Sequence, residues 1–342
     1  MALRKSLLRF QSMHQLGVTP MWKRGRIHKD LKEHSGPTGF LFGNVPSKID
    51  EYIKFALSEE SLAKFAEQGW IVTPRRILSR AQIEMLHTEV THLVSYDGRE
   101  DPPNKNLLYN YTDINPLANH QIFYSTGHWR IMRCMHDLVY FPTIAAPASQ
   151  LLGNSAVQFL HDEMFCKPPM KGSCVVWHQN GAQWRNTFPL QHISVHIALD
   201  NQTRENGGLC LISGSHKWRD EKNLIPMTVS PDPDPNVQMR AILETLEPHE
   251  KQKFEHSLIC PEVKLGHALF IHPLLLHGSY PNQTTSWRRS AVIHYCAKGT
   301  SATATGPLFR GTYVMRGGEP LTGNFYPIVF DPQKLSASSQ TP

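Results

Sequence analysis

A mainly β domain with flanking helices is what this 342-residue sequence predicts, and three observations predict it. From about residue 155, short β-rich runs alternate with Gly, Pro and Asn clusters. That is the spacing of a sandwich or barrel, not of alternating β and α units. Before that point the apolar periodicity is helical. A third feature, residues 219–258, interrupts the β-rich half with a Pro/Asp stretch and a helical pattern of its own. With 40% hydrophobic and 19% charged residues the composition is that of a globular chain with a sizeable core.

Taken in order, residues 1–58 read as an extended leader with a short helix near Ile49–Ala56. Up to Lys29 the leader has no acidic residue but carries Arg4, Lys5, Arg9, Lys23, Arg24, Arg26 and Lys29. This suits an amphipathic transit peptide or a solvated basic tail. Arg9 to Leu16 is one residue short of an N-terminal peroxisomal spacing, and the Ser-Gln-Thr-Pro terminus is no peroxisomal tripeptide. Residues 59–68 read as helix and run through Gly69 into a short strand, Trp70-Ile71-Val72. Ile83, Leu86, Val90 and Leu93 mark a helix over 80–96, a charged loop follows at 97–106, and 127–152 holds one or two more helices. Candidate strands are Ala156–His161, Glu163–Cys166, Cys174–His178, Ile193–Leu199, Gly208–Leu211, Ala268–His272 and Ser290–Ala297. The excursion at 219–258 reads as a surface insertion of the kind that often forms a lid. Residues 59–300 are thus expected to form the β domain, and 301–342 a C-terminal extension that wraps it.

Several classes drop out. The net charge is +6, but much of the excess sits in the leader and no nucleic-acid-binding motif accompanies it. No apolar run approaches the ~18 residues of a membrane span. Cys134, Cys166, Cys174, Cys210, Cys260 and Cys296 include no C-x-x-C pair. They read as reduced thiols of an intracellular protein, cytoplasmic or mitochondrial before peroxisomal, which leaves the sequons at Asn201 and Asn282 unused.

Three segments carry chemistry: Trp177-His178-Gln179-Asn180, His277-Gly278-Ser279, and Trp287-Arg288-Arg289. Residues two apart on a strand share a face, so His178 and Asn180 are expected to point into the barrel together. His277 would complete one triangular face around a metal. Two imidazoles and one oxygen donor leave positions open, the arrangement that suits Fe(II). Arg288, one turn further on, can clamp a carboxylate with parallel hydrogen bonds, with Ser279 adding a hydroxyl. Arg289 is expected to face solvent, and Lys167 to cap the barrel mouth. His192, His256, His267, His272 and His294 read as ordinary core or surface histidines. Trp184, Phe188 and Trp218 suit a substrate pocket or core packing equally.

At these residues the chain resembles the phytanoyl-CoA dioxygenase family. The likeness runs from about Leu62 to Ala297 through Lys167-Pro168-Pro169, Trp177-His178-Gln179, ALDNQTRENGGLCLISGSHK at 198–217, and HGSYPNQ followed by Arg288. It implies a double-stranded β-helix (jelly-roll, cupin-like) core, Fe(II), 2-oxoglutarate as co-substrate, and hydroxylation or oxidation of a small organic substrate. His178 and His277 carry over as iron ligands, Arg288 as the clamp on the 2-oxoglutarate carboxylate, and His196 as a lining residue of that pocket. The departure is Asn180, where the family has Asp; a neutral amide leaves the metal's charge uncompensated. Asp162, Glu163 and Asp200 are nearby carboxylates, and the spacing favours none of them. Two rivals follow: a relative that keeps the pocket but only binds or regulates, and a zinc hydrolase, which lacks a placed general base.

Overall fold

The computed structural model describes residues 30–94, 105–112, 123–170, 174–225 and 234–338; the basic leader and most of the 97–106 loop lie outside them. In chain order the elements begin with α1 (Ile49–Ile53), α2 (Glu59–Gln68), β1 (Trp70–Val72), α3 (Arg80–Val94), β2 (Asn110–Thr112), β3 (Phe123–Thr126), α4 (Arg133–Val139) and α5 (Pro142–Leu151). Then come β4 (Val157–Lys167), β5 (Val175–His178), β6 (Thr187–Phe188), β7 (His192–Ala198) and β8 (Leu209–Ile212). Helices α6 (Pro235–Thr245) and α7 (Pro248–Ser257) precede β9 (Leu258–Ile259), β10 (Ala268–Ile271), β11 (His277–Ser279) and β12 (Arg288–Ala297). The chain closes with β13 (Ser301–Ala302), β14 (Gly306–Pro307), β15 (Val314–Met315), β16 (Ile328–Phe330) and α8 (Pro332–Ser338).

Local signals set these boundaries. Ser58 caps α2 by accepting from the Ser61 amide at 3.3 Å. Gly69 ends α2 at φ 80°, a left-handed turn that a residue without Cβ adopts freely, and hands the chain to β1. Proline opens α5, α6 and α7 at the first turn, where no amide hydrogen bond is lost.

Two antiparallel sheets form the core. The larger runs β1-β10-β7-β12-β4-β3-β2, with β16 also on β4, and the smaller runs β5-β11-β8-β9. This is the jelly roll, curled so that the sheets face each other. The two candidate strands Ala156–His161 and Glu163–Cys166 are one strand, β4, because both faces of the run are buried and the bulge between Phe159 and His161 shifts its register on β12 without ending it. On β12 the alternation is chemical as well as geometric. Ala291, Ile293 and Tyr295 pack outward under α4 and α5, and the Tyr295 hydroxyl donates to the Val139 carbonyl at 2.8 Å. Arg288, Ser290, Val292 and His294 therefore face the space between the sheets. In register with them, β4 presents Lys167, Phe165, Glu163 and His161, and β7 presents Ala198, His196 and Ser194. A buried sheet face this polar is costly unless its groups are paired or serve a ligand.

Helices α6 and α7 bury Ile242, Leu246 and Phe254 against Trp177, Cys210, Ile212 and Leu276. These lie on the opposite side of the small sheet from His178 and His277, so the insertion's helices back that sheet rather than lid the interior. The reduced-thiol expectation is corrected here. Pairing of β8 with β9 brings Cys210 and Cys260 together in a disulfide across a separation of 50 residues. The spacing argument for a reducing compartment loses its premise with that bond. No helix among the described residues is long and apolar enough to cross a membrane.

Candidate active site

The polar interior holds two linked clusters. The first is built on strands β5 and β11, which place His178 and His277 opposite each other in register. Their ring centroids are 4.3 Å apart. Each Nδ1 pairs with a carbonyl two residues earlier, Val176 for His178 and Leu275 for His277, both at 2.8 Å. The carbonyls accept, so Nδ1 carries the proton and each Nε2 turns a lone pair inward, the arrangement of a ligating histidine. His196 stands across from them on β7, its ring 6.4 Å from that of His277 and its Nε2 buried with no hydrogen-bond partner. Burial holds all three imidazoles below their ordinary pKa, His196 down to about 3, so they are neutral and free to ligate.

Asn180 departs from its expected geometry. Strand β5 ends at His178, and Asn180 opens a short 3-10 turn. The strand stops because the Gly181 amide swings out to the Pro273 carbonyl at 2.8 Å, and a Cβ at Gly181 would sit 2.8 Å from the Leu190 side chain. Asn180 still reaches the site. Its Nδ2 donates to Ser194 Oγ at 2.8 Å, and its amide lies against His178, where a hydrogen bond opposes the fall in that residue's pKa.

The basic end of this interior is formed by Arg288 and Lys167, neighbours across β12 and β4. Both are buried, at 3% and 0% exposure. Arg288 donates to the Gly207 carbonyl at 3.0 Å and to Ser290 Oγ at 3.0 Å. Lys167 is not at the mouth; it donates to Ser279 Oγ and the Tyr280 carbonyl, each at 2.6 Å. Gly207 permits this packing: at φ 79° it accepts from Arg288, and a Cβ there would lie 2.7 Å from the Lys167 side chain. Among the described residues no carboxylate forms an ion pair with either side chain. Burial, then the neighbouring Arg288, pushes Lys167 well below its ordinary pKa, and burial takes Arg288 to about 10. Arg289, expected to face solvent, is instead half-buried in an ion pair with Asp200, at 2.8 Å for both Nε and Nη2.

The second cluster was not singled out by sequence reasoning. His161, Glu163 and His294 are buried with donor atoms all within 4.8 Å of one another. Of the three carboxylates near the motif, Glu163 alone faces inward: Asp162 accepts from the Gly127 and Trp129 amides, and Asp200 holds Arg289. The signal was the period-two alternation of β12, which puts His294 on the face of Arg288. Ser194 bridges the clusters, its Oγ meeting Asn180 on one side and His294 Nδ1 at 3.0 Å on the other. A cavity of about 330 Å³ opens on this cluster, lined by Tyr109, Tyr124, His161, Glu163, Trp184 and Phe309. Phe188 is exposed and Trp218 packs with the backing helices, so neither lines it.

Residues 65–290 match the family described as phytanoyl-CoA dioxygenase. A probable phytanoyl-CoA dioxygenase of Caenorhabditis elegans is 26% identical over 176 residues, 45% of this chain and 48% of that protein. The ectoine dioxygenase of Halomonas elongata is 25% identical over 250 residues, 70% of each chain. The chain thus spans about half the length of the first of these relatives and more of the second. Among solved structures, the non-heme alpha ketoglutarate dependent carbocyclase SnoK superposes with a TM-score of 0.59 over 83% of this chain and 99% of its own, at 18% identity. That likeness is one of fold.

Proposed function

The chain belongs to the phytanoyl-CoA dioxygenase family, and from that premise we propose that it is an Fe(II)- and 2-oxoglutarate-dependent oxygenase acting on a small organic substrate. The observation that carries the reading is the buried pair of basic side chains, Lys167 and Arg288, without carboxylate partners among the described residues and turned into the same interior as the imidazoles of His178, His196 and His277. A dicarboxylate is the ligand that such a pair suits. One carboxylate would take the fork of Arg288, with Ser279 and Lys167 beside it, and its charge would oppose the burial that lowers the pKa of Lys167. The remaining half would extend past His196 toward His178 and His277.

The donor set fits a divalent ion in two of its three members. His178 and His277 would hold it through Nε2, and Asn180 would offer an amide oxygen. When bound, Fe(II) would supply the redox chemistry that couples decarboxylation of 2-oxoglutarate to oxidation of substrate by O2. The chain's own contributions are orientation and exclusion of water. The Val176 and Leu275 carbonyls fix both rings, and the jelly roll keeps the basic end dry. The aromatic-lined cavity has the size of a small-molecule site. The relative named as an ectoine dioxygenase supports the oxygenase reading, and the structural neighbour named as non-heme and alpha ketoglutarate dependent supports the co-substrate.

Purified protein given Fe(II), 2-oxoglutarate and O2 is expected to form succinate slowly without added substrate, and His277→Ala is expected to abolish it. Succinate formation equal in parent and variant would refute the enzyme reading, and none from either would leave the chain a binding protein.

A further inference from the structure

We propose that His161, Glu163 and His294 form a second divalent-metal site, for a first-row transition ion, on the floor of the aromatic-lined cavity. Its donors come from β4 and β12, separate from the His178 and His277 pair on the small sheet. Two imidazoles and one carboxylate on one side of an ion leave the cavity side open to water or a substrate oxygen. His294 Nε2 stands 3.3 Å from one Glu163 oxygen and His161 Nδ1 4.0 Å from the other. Both nitrogens are fully buried; His294 Nε2 meets only the Glu163 carboxylate, and His161 Nδ1 makes no hydrogen bond. Native interiors rarely leave a buried nitrogen such as His161 Nδ1 without a bound species to meet it.

The surroundings supply the supporting shell that metal ligands usually have. Tyr124 donates to Glu163 Oε1 at 3.0 Å, and Ser194 meets the far nitrogen of His294 at 3.0 Å. His161 stacks on His294 at 4.3 Å between centroids, which fixes both rings. Trp184 Nε1 donates to His161 Nε2 at 3.2 Å, so in the metal-free chain the proton of His161 sits on Nδ1. Ion binding at Nδ1 would move that proton to Nε2 and turn the Trp184 N–H toward the cavity it already lines. Of Asp162, Glu163 and Asp200, the cluster also holds the one that faces inward, a charge that the Asn180 position lacks.

The test is Co(II) binding to the full chain by equilibrium dialysis, with visible absorption and tryptophan fluorescence recorded in parallel. Three variants are compared with the parent: Glu163→Gln, the double variant His161→Ala/His294→Ala, and His178→Ala/His277→Ala. Thermal melting without metal identifies any that fail to fold; Glu163→Gln keeps the shape of the side chain and serves if the double variants do not. The parent is expected to bind two ions and Glu163→Gln one. His178→Ala/His277→Ala is expected to keep one ion, whose binding still changes the fluorescence. If that double variant binds none, or Glu163→Gln binds as many as the parent, the second site does not exist. A parent that binds a single ion, lost in Glu163→Gln but kept in His178→Ala/His277→Ala, would support this site and refute the iron assignment above.

Discussion

Arg288→Ala is expected to weaken 2-oxoglutarate binding by about 2–5 kcal/mol, the loss seen when one partner of a desolvated charge pair is removed. In affinity that is roughly thirty-fold to several thousand-fold. Titration of the Mn(II)-loaded protein, in which the metal does not turn over, reads it directly. Arg288 donates to the Gly207 carbonyl and Ser290 and meets no acidic partner among the described residues, so its charge is available to a ligand. Arg288→Lys keeps the charge but not the planar fork and should recover only part of the loss. Arg289→Ala removes a half-buried ion pair with Asp200, which costs stability, and should leave 2-oxoglutarate affinity unchanged. If Arg289→Ala abolishes binding and Arg288→Ala does not, the clamp has been assigned to the wrong face of β12.

Asn180→Asp is expected to destabilise the metal-free protein by about 3–5 kcal/mol, the scale of an uncompensated buried charge. Asn180 donates to Ser194 Oγ, which also pairs with His294. A carboxylate has no proton to give, so the donation from residue 180 to Ser194 Oγ is lost beside the Ser194–His294 contact. The added charge also joins an interior that already contains Glu163, held well below the usual carboxylate range by its histidine neighbours despite burial. A divalent ion at His178 and His277 would compensate the new charge, so Mn(II) should raise the melting temperature of Asn180→Asp more than that of the parent. Equal metal-free stability and equal shifts would mean that residue 180 does not face the ion.

Much of this arrangement was legible in the sequence, because strongly β-forming runs between turn residues name their own strands. Helix α2 and strand β1 fall where the helical run at 59–68, Gly69 and the apolar Trp70-Ile71-Val72 put them, and the motif histidines share a strand register. What was not legible depends on register and pairing. Nothing local tells that β5 ends at His178, since the cause is Gly181 reaching the distant Pro273 carbonyl. Cys210 and Cys260 carry no spacing signature; they meet because β8 pairs with β9 across the insertion. Lys167 looked like a surface cap until β12 was laid against β4. Glu163, His161 and His294 belong to no motif, and become a cluster only when the inward residues of two adjacent strands are read together.

The most direct measurement is an anaerobic titration of the Fe(II)-loaded protein with 2-oxoglutarate, followed by visible absorption. Chelation of the co-substrate by iron held at His178 and His277 predicts a weak metal-to-ligand charge-transfer band that saturates with added 2-oxoglutarate. The band should vanish in His178→Ala and need far higher 2-oxoglutarate in Arg288→Ala. A parent protein that binds Fe(II) and 2-oxoglutarate but develops no band, or a band that persists unchanged in His178→Ala, would contradict the account.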